Sequence, residues 1–265
     1  MHKLARHVRF SINPFLDEDS RGFNSFCSQP AGEGLSIFFE LCVGLAGEVE
    51  PATGFVVNVV DVDRCVRQHV VPIFAERIRR YFRKGKNIGF SEITGLLKSA
   101  QEQLADKFGR AMVAELTLKL NPFRKAAIDC EDTKMIYFSE KFEFAAMHKL
   151  WNDDFSDSRN FEIFGKCANP AGHGHNYIVE VTVKMPSGEE FCISDFEKTV
   201  DNKLIKLIDH KNLNADVSYF EKTNPTVENI AVFAWERIEG KFGKIKLHCV
   251  TVWETDKTYC TYYGS

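Results

Sequence analysis

The chain repeats itself over half its length, and that repeat constrains the architecture more than any other feature of the sequence. Phe10, Asp61 and Lys107 recur as Phe144, Asp195 and Lys241, each pair 134 positions apart. Cys27-Ser28-Gln29-Pro30-Ala31-Gly32-Glu33-Gly34 aligns with Cys167-Ala168-Asn169-Pro170-Ala171-Gly172-His173-Gly174, and Lys107-Phe108-Gly109 with Lys241-Phe242-Gly243. One such match alone is plausible by chance, but several in one collinear alignment are not. The expected organisation is two tandem domains, 1–127 and 136–265, with Ala126-Ala127-Ile128-Asp129-Cys130-Glu131-Asp132-Thr133-Lys134 as the connector. At 265 residues either arrangement, one large domain or two small ones, can bury a core.

Each half reads strand, strand, helix, helix, strand, strand, an α+β pattern. In the second half Tyr177-Ile178-Val179-Glu180-Val181-Thr182-Val183 is a strand by its β-branched content, and Phe142–Met147 is its neighbour. Ser194 followed by Glu197 resembles a capping box, and Phe196, Val200, Leu204 and Leu207 form a helical stripe. Asn224-Pro225 or Thr226 opens a second helix with Val227, Ile230, Ala231, Ala234 and Ile238 on one face, and Gly240 and Gly243 end it. Strands over Ile245–Glu254 and Thr258–Tyr263 follow. The result is an antiparallel four-stranded sheet with two helices on one face, twice over.

Composition narrows the class of protein. With 44% hydrophobic and 27% charged residues the chain reads as an ordinary globular protein. A net charge of −3 gives no general attraction for nucleic acid or an anionic membrane. No apolar run approaches the roughly 20 residues that span a bilayer, and Met1–Phe10 lacks the apolar stretch of a signal peptide. Eight cysteines without a Cys-x-x-Cys pair argue against a zinc ribbon or a disulfide framework and fit a reducing cytoplasm.

The chemistry concentrates in Gly165–Tyr177. His173-Gly174-His175 places two imidazoles at i and i+2, on one face of a strand. His148, at the end of the neighbouring strand, is the natural third member of a metal site. Three protein ligands and an open position characterise catalytic zinc. A single histidine on an apolar strand would more often be a hydrogen-bonded core residue; three together reverse those odds.

Cys167 has three readings: a fourth ligand closing the site, a small buried hydrophobe, or a thiolate base if a cation or imidazole lowers its pKa. Asp209-His210, after the first helix, is a carboxylate–imidazole pair of the kind that tunes a proton carrier, or equally a solvated helix end. Glu254 alternates with Val250 and Val252, so a partner is implied unless the strand end is exposed; a planar ligand with a guanidine-like edge matches a carboxylate bidentately. The basic run Arg77, Arg79, Arg80, Arg83, Lys84, Lys86 reads mainly as a solvated helix face, with a polyphosphate site as the alternative.

These residues together resemble the 6-pyruvoyltetrahydropterin synthase family. The likeness covers the second half: Phe142–Leu150, Phe164-Gly165-Lys166-Cys167 through Tyr177, Leu207–Asn214, Thr226–Ala231 and Val252-Trp253-Glu254-Thr255-Asp256. The resemblance implies the tunnelling fold, whose sheets join through oligomerisation into a barrel with active sites between subunits. It implies zinc on His148, His173 and His175, Cys167 as the proton-abstracting base tuned by Asp209 and His210, and Glu254 as the pterin anchor with Thr226 and Glu228 nearby. The implied reaction converts 7,8-dihydroneopterin triphosphate to 6-pyruvoyltetrahydropterin by eliminating triphosphate and redistributing protons internally. Lys149, Lys166 and Lys211 are candidates for gripping the triphosphate.

Two other functions compete. 6-Carboxytetrahydropterin synthase, of the queuosine route, shares fold, zinc and substrate but cleaves the side chain. Its relatives usually have a shorter cysteine-to-histidine gap than the five residues between Cys167 and His173. A catalytically silent pterin-binding or scaffold protein is the other. The first half resembles the family in outline, notably Gly47–Asn58, yet departs at every chemical position. Pro14 stands for His148, Glu33 for His173, Leu35 for His175, Ala75 and Glu76 for Asp209 and His210, and Leu120 for Glu254. It reads as a degenerate copy that keeps the fold without the chemistry.

Overall fold

A computed structural model describes residues 1–16, 35–130, 132 and 134–264. The chain divides into two compact units, Met1–Phe138 with Met185–Phe191, and Ser139–Lys184 with Cys192–Ser265. In the first, β1 (His2–Ile12), β2 (Ile37–Gly47), β3 (Met112–Lys119) and β4 (Arg124–Asp129) form an antiparallel sheet in that order. The helices α1 (Val59–Cys65), α2 (Val71–Arg83) and α3 (Phe90–Leu104) lie between β2 and β3 in sequence. Alternation decides which face is buried: Val8, Phe10, Leu41, Val43, Leu116, Leu118, Ala126 and Ile128 all point to the core. The expected connector is thus too long. Ala126 and Ile128 are fully buried, so Ala126–Asp129 completes β4 rather than linking domains.

The opposite face of this sheet carries a charge ladder. Glu40 on β2 lies directly across from Arg9 on β1 and Lys119 on β3. Arg9 Nε donates to it at 2.9 Å, and His7 Nδ1 lies 3.0 Å away. Burial alone would raise the Glu40 pKa, but hydrogen bonds from Lys119, Arg9 and His7 outweigh it and hold the carboxyl at about 2. Its folded pKa is depressed, so its stabilisation is present above the ordinary carboxylate range and is lost as pH falls toward 2. Glu40→Gln is expected to lower stability by about 2–3 kcal/mol at neutral pH. Urea denaturation at pH 7 and again near pH 3 checks this: the gap between variant and wild type should shrink in acid.

The second unit holds all but the first four residues of β5 (Met135–His148) and all but the last two of β6 (His173–Pro186), with α4 (Asp157–Phe164), α5 (Ile193–Val200), α6 (Lys206–Ile208), β7 (Lys211–Asn212), α7 (Leu213–Asp216), α8 (Val227–Ile238), β8 (Lys246–Thr255) and β9 (Thr258–Tyr262). Its sheet runs β5-β6-β8-β9, with the two-residue β7 parallel to β5 at Ala146 and Met147. The helix α8 matches the sequence expectation. Thr226 is its N-cap, accepting from Asn229 N; Val227, Ile230, Ala231, Ala234 and Ile238 are buried, and Gly240 follows the end at φ 70°. The first helix differs. Cys192, not Ser194, is the N-cap of α5, and its side chain makes no capping bond. A π-turn over Asp201–Ile205 then inserts an extra residue and shifts the helical phase. The buried stripe is therefore Phe196, Val200, Leu204 and Ile208, while Leu207 is 43% exposed.

The first unit has the same π-turn, at Val66–Val70. It also has the same β-bulge: β2 slips against β3 at Gly44/Leu45, and β6 slips against β8 at Thr182/Val183. Facing rings mark the same register, with Phe10 stacked on Phe39 at 5.4 Å and Phe144 on Tyr177 at 4.9 Å. These landmarks correct two of the residue correspondences. Phe39 matches Tyr177, so Leu35 stands for His173 and Ile37 for His175; the shift is taken up in the loop before β2. Glu33 and the Cys27–Gly34 anchor lie outside the described residues. Ala75 and Glu76 fall inside α2, with Ala75 buried, whereas the second unit's chain leaves its helix at Ile208.

Candidate metal centre

His173 and His175 share one face of β6 because a strand alternates, and β5 brings His148 alongside. One nitrogen from each lies within 4.8 Å of the others, and this is the one such group of three among the described residues. His148 Nε2 and His173 Nε2 are 3.1 Å apart. Around a tetrahedral ion with bonds of 2.0–2.1 Å, ligand nitrogens sit about 3.3 Å apart.

The protonation pattern fits a cation. His148 is 1% exposed, and its Nδ1 donates to the carbonyl of Pro225 at 2.8 Å, which leaves Nε2 bare and directed at the cluster. Burial, together with the neighbouring imidazoles, holds His148 and His173 below the usual histidine range, which favours the neutral imidazole that a metal would require. Among the described residues His173 Nδ1 and His175 Nε2 are buried with no hydrogen-bond partner. Buried polar atoms are seldom left so, and a metal ion would satisfy His175 Nε2.

Glu254 joins them. Its Oε1 lies 3.5 Å from both His148 Nε2 and His175 Nε2. A bulge between Trp253 and Thr255, where β8 slips against β9, marks its position, and bulges re-aim side chains. The carboxylate is thus part of the cluster's surroundings and remains 21% exposed.

Cys167 sits in a short 3-10 turn, Gly165–Ala168, where its carbonyl accepts from Leu150 N at 2.9 Å. Burial and the nearby Glu254 push its thiol up, opposite to the lowering that a base requires. The Asp209–His210 pair is held against β5 at Ala145. Asp209 Oδ1 accepts from Ala145 N at 2.9 Å and lies 2.9 Å from His210 Nδ1. His210 is held at φ 55° by its own N–H bond to the Ala145 carbonyl at 2.6 Å, and its side chain is 81% exposed. Among the described residues no hydrogen bond or ion pair joins this pair to Cys167. A non-glycine residue in this region of backbone space is strained, and such strain gathers at functional sites.

Thr226 caps α8, and Glu228 lies in its first turn, close enough to Cys260 to add to the upward push that burial gives that thiol. Of the three lysines, Lys149 stacks its ammonium 4.8 Å from the Trp151 ring. Asn214 brackets Lys149 by accepting from its N–H and donating to its carbonyl, and Asn224 accepts from Trp151 N. These asparagines and the Pro225 carbonyl were not legible as site residues. Asn-Pro before a helix signals a cap, and a carbonyl has no side-chain signature.

A four-stranded antiparallel sheet backed by helices, with three imidazoles and a carboxylate gathered at its strand ends, defines an α+β protein with a candidate metal centre. The family model described as 6-pyruvoyl tetrahydropterin synthase matches residues 137–265. The 6-pyruvoyl tetrahydrobiopterin synthase of Drosophila melanogaster is 39% identical over 133 residues, 48% of this chain and 79% of that one. The Homo sapiens protein of that name is 38% identical over 130 residues, 48% of this chain and 90% of its own. The solved Caenorhabditis elegans 6-pyruvoyl tetrahydropterin synthase is 33% identical with a TM-score of 0.46, covering 49% of this chain and 96% of that one. The chain belongs to the 6-pyruvoyl tetrahydropterin synthase family. None of its described helices is long and apolar enough to cross a membrane.

Proposed function

We propose that the second unit is a zinc-dependent lyase that converts 7,8-dihydroneopterin triphosphate to 6-pyruvoyltetrahydropterin and triphosphate. The observation that carries this reading is the convergence of His148, His173 and His175 with Glu254 beside them and Cys167 within electrostatic reach of Glu254. Zinc held there supplies a Lewis acid that polarises substrate oxygens and acidifies the neighbouring carbon-bound hydrogens. The chain's own residues do the rest. Pro225 fixes the His148 tautomer. Glu254 receives the donor edge of the pterin, with Thr226 and Glu228 at the same end of α8. Cys167 takes a proton from the side-chain carbon, and the protons are redistributed within the substrate, so no external reductant enters. The exposed His210, oriented by Asp209, serves a site completed between subunits of a homo-oligomer in the cytoplasm.

Incubating the purified chain with zinc and 7,8-dihydroneopterin triphosphate tests the reading. Triphosphate release with the 6-pyruvoyl product supports it. Acetaldehyde release would assign the carboxy reaction instead, and zinc binding without turnover would leave a silent pterin-binding protein.

Two further results are expected. Metal analysis should return one zinc per chain, because Pro14, Leu35, Ile37 and Leu120 offer no ligand in the first unit; two per chain would show that this unit is not empty. Glu254→Gln keeps the shape and removes the charge facing the pterin. A charge-assisted hydrogen bond is worth about 1.5–3 kcal/mol, so calorimetry with a pterin analogue should show roughly ten- to a hundredfold weaker binding. Unchanged affinity would move the anchor elsewhere.

A further inference from the structure

The first unit has lost the metal ligands but not the hollow. A cavity of about 580 Å³ opens there, within the roughly 300–1,000 Å³ typical of small-molecule sites. By the register above, Ile37 and Leu120 stand in its wall where the second unit has His175 and Glu254. Phe39, Ile78 and Leu96 continue the apolar lining, and all three are buried core residues. Phe38 and Phe82 also line it while 47% and 41% exposed, so water meets apolar surface at the mouth.

The polar part of the lining is sparse and of one sign. Lys86 and Asn87 stand at the rim, and among the described residues no carboxylate lines the cavity. Lys86 closes the C-terminal end of α2, its N–H bonded to the Tyr81 carbonyl at 3.0 Å beyond Gly85 at φ 60°, and its exposed side chain reaches the cavity rim. Arg77 and Arg80 line a second, smaller cavity of about 260 Å³ that shares Ile78, Ile88 and Leu96 with the first. The nearby carboxylate of Glu92 is already engaged, accepting from Gly89 N at 2.9 Å. Of the basic run, Lys86 lines the apolar hollow, while Arg77 and Arg80 belong to the smaller cavity beside it.

We infer that this cavity binds an amphipathic anion, a carboxylate carried on a hydrocarbon body. The described walls reward apolar area, Lys86 supplies an accessible ammonium at the rim, and among the described residues nothing in the lining matches the donor edge of a pterin or ligates a metal. The inference goes beyond the proposed lyase activity and does not depend on it.

Calorimetric titration of the full chain with decanoate, and separately with decanol, tests it. Wild type should bind decanoate saturably at one site per chain and more tightly than decanol. Reversing an exposed charge should cost roughly fivefold, so Lys86→Glu is expected to weaken decanoate by about that factor while decanol changes less than about twofold. Ile93→Trp, at a half-buried wall position, should remove both. Circular dichroism on that variant guards against misfolding, and Lys86→Glu keeps the test alive should it fail to fold. His175→Ala must leave decanoate binding intact. Absence of saturable binding in wild type, indifference of decanoate to Lys86→Glu, or loss of binding in His175→Ala would each overturn the inference.

Discussion

Cys167→Ala is expected to keep its zinc while turnover falls by about 10²-fold or more, the scale of a positioned proton carrier. The geometry gives this variant its force. Cys167 is absent from the group whose ligating atoms converge, which contains the three histidines alone among the described residues. A thiolate in that group would have closed the site and made it structural. Metal content measured beside turnover separates the roles: loss of zinc would make Cys167 a ligand, and unchanged turnover would remove it from the chemistry. In the chain itself burial and Glu254 push the thiol up. A base at that position therefore needs a cation or an imidazole that those two influences do not supply, and under the proposed function the exposed His210 is the candidate. Asp209→Asn should then slow turnover without touching zinc.

His175→Ala should abolish stoichiometric zinc and, with it, activity. Even a residue that merely orients a metal-bound histidine costs 10–100-fold in affinity or activity, so removing a ligand is expected to exceed about 10²-fold. His175 suits the experiment better than His148, which is almost fully buried and bonded to Pro225. His175 is only partly buried, and its Nε2 has no hydrogen-bond partner to leave behind among the described residues. Substitution removes a ligand without opening the core, so the metal-free variant should unfold at the temperature of the metal-free wild type. Full zinc retention in His175→Ala would reassign the centre. A large fall in the stability of the metal-free form would instead give the side chain a structural role.

What could be read in the sequence was local. The alternation of a strand puts His173 and His175 on one face whatever surrounds them, and Thr226 caps α8 through its own hydroxyl. The four-residue spacing of apolar positions marks the first helix of the second unit as far as Leu204. The departures begin where a neighbour sets the geometry. The π-turn over Asp201–Ile205 moves burial from Leu207 to Ile208, since the sheet, not the local spacing, decides which residue faces the core. The sequence offers Ala126–Lys134 as a connector, yet pairing with β3 makes Ala126–Asp129 part of a strand.

The same division runs through the site. Which residues carry imidazole, thiol and carboxylate is written in the chain, and that was enough to name His148, His173, His175, Cys167 and Glu254. Only the tertiary structure decided how they are placed. A carbonyl from Pro225, seventy-seven positions from His148, selects the tautomer. The bulge in β8 marks where Glu254 turns beside the histidines, and the exit of the chain at Ile208 turns Asp209 back onto Ala145 N and leaves His210 facing outward. Side-chain chemistry belongs to single residues and survives in a linear reading. Tautomers, bulges and exposure depend on groups distant in sequence, and they exist only once the strands have found their register.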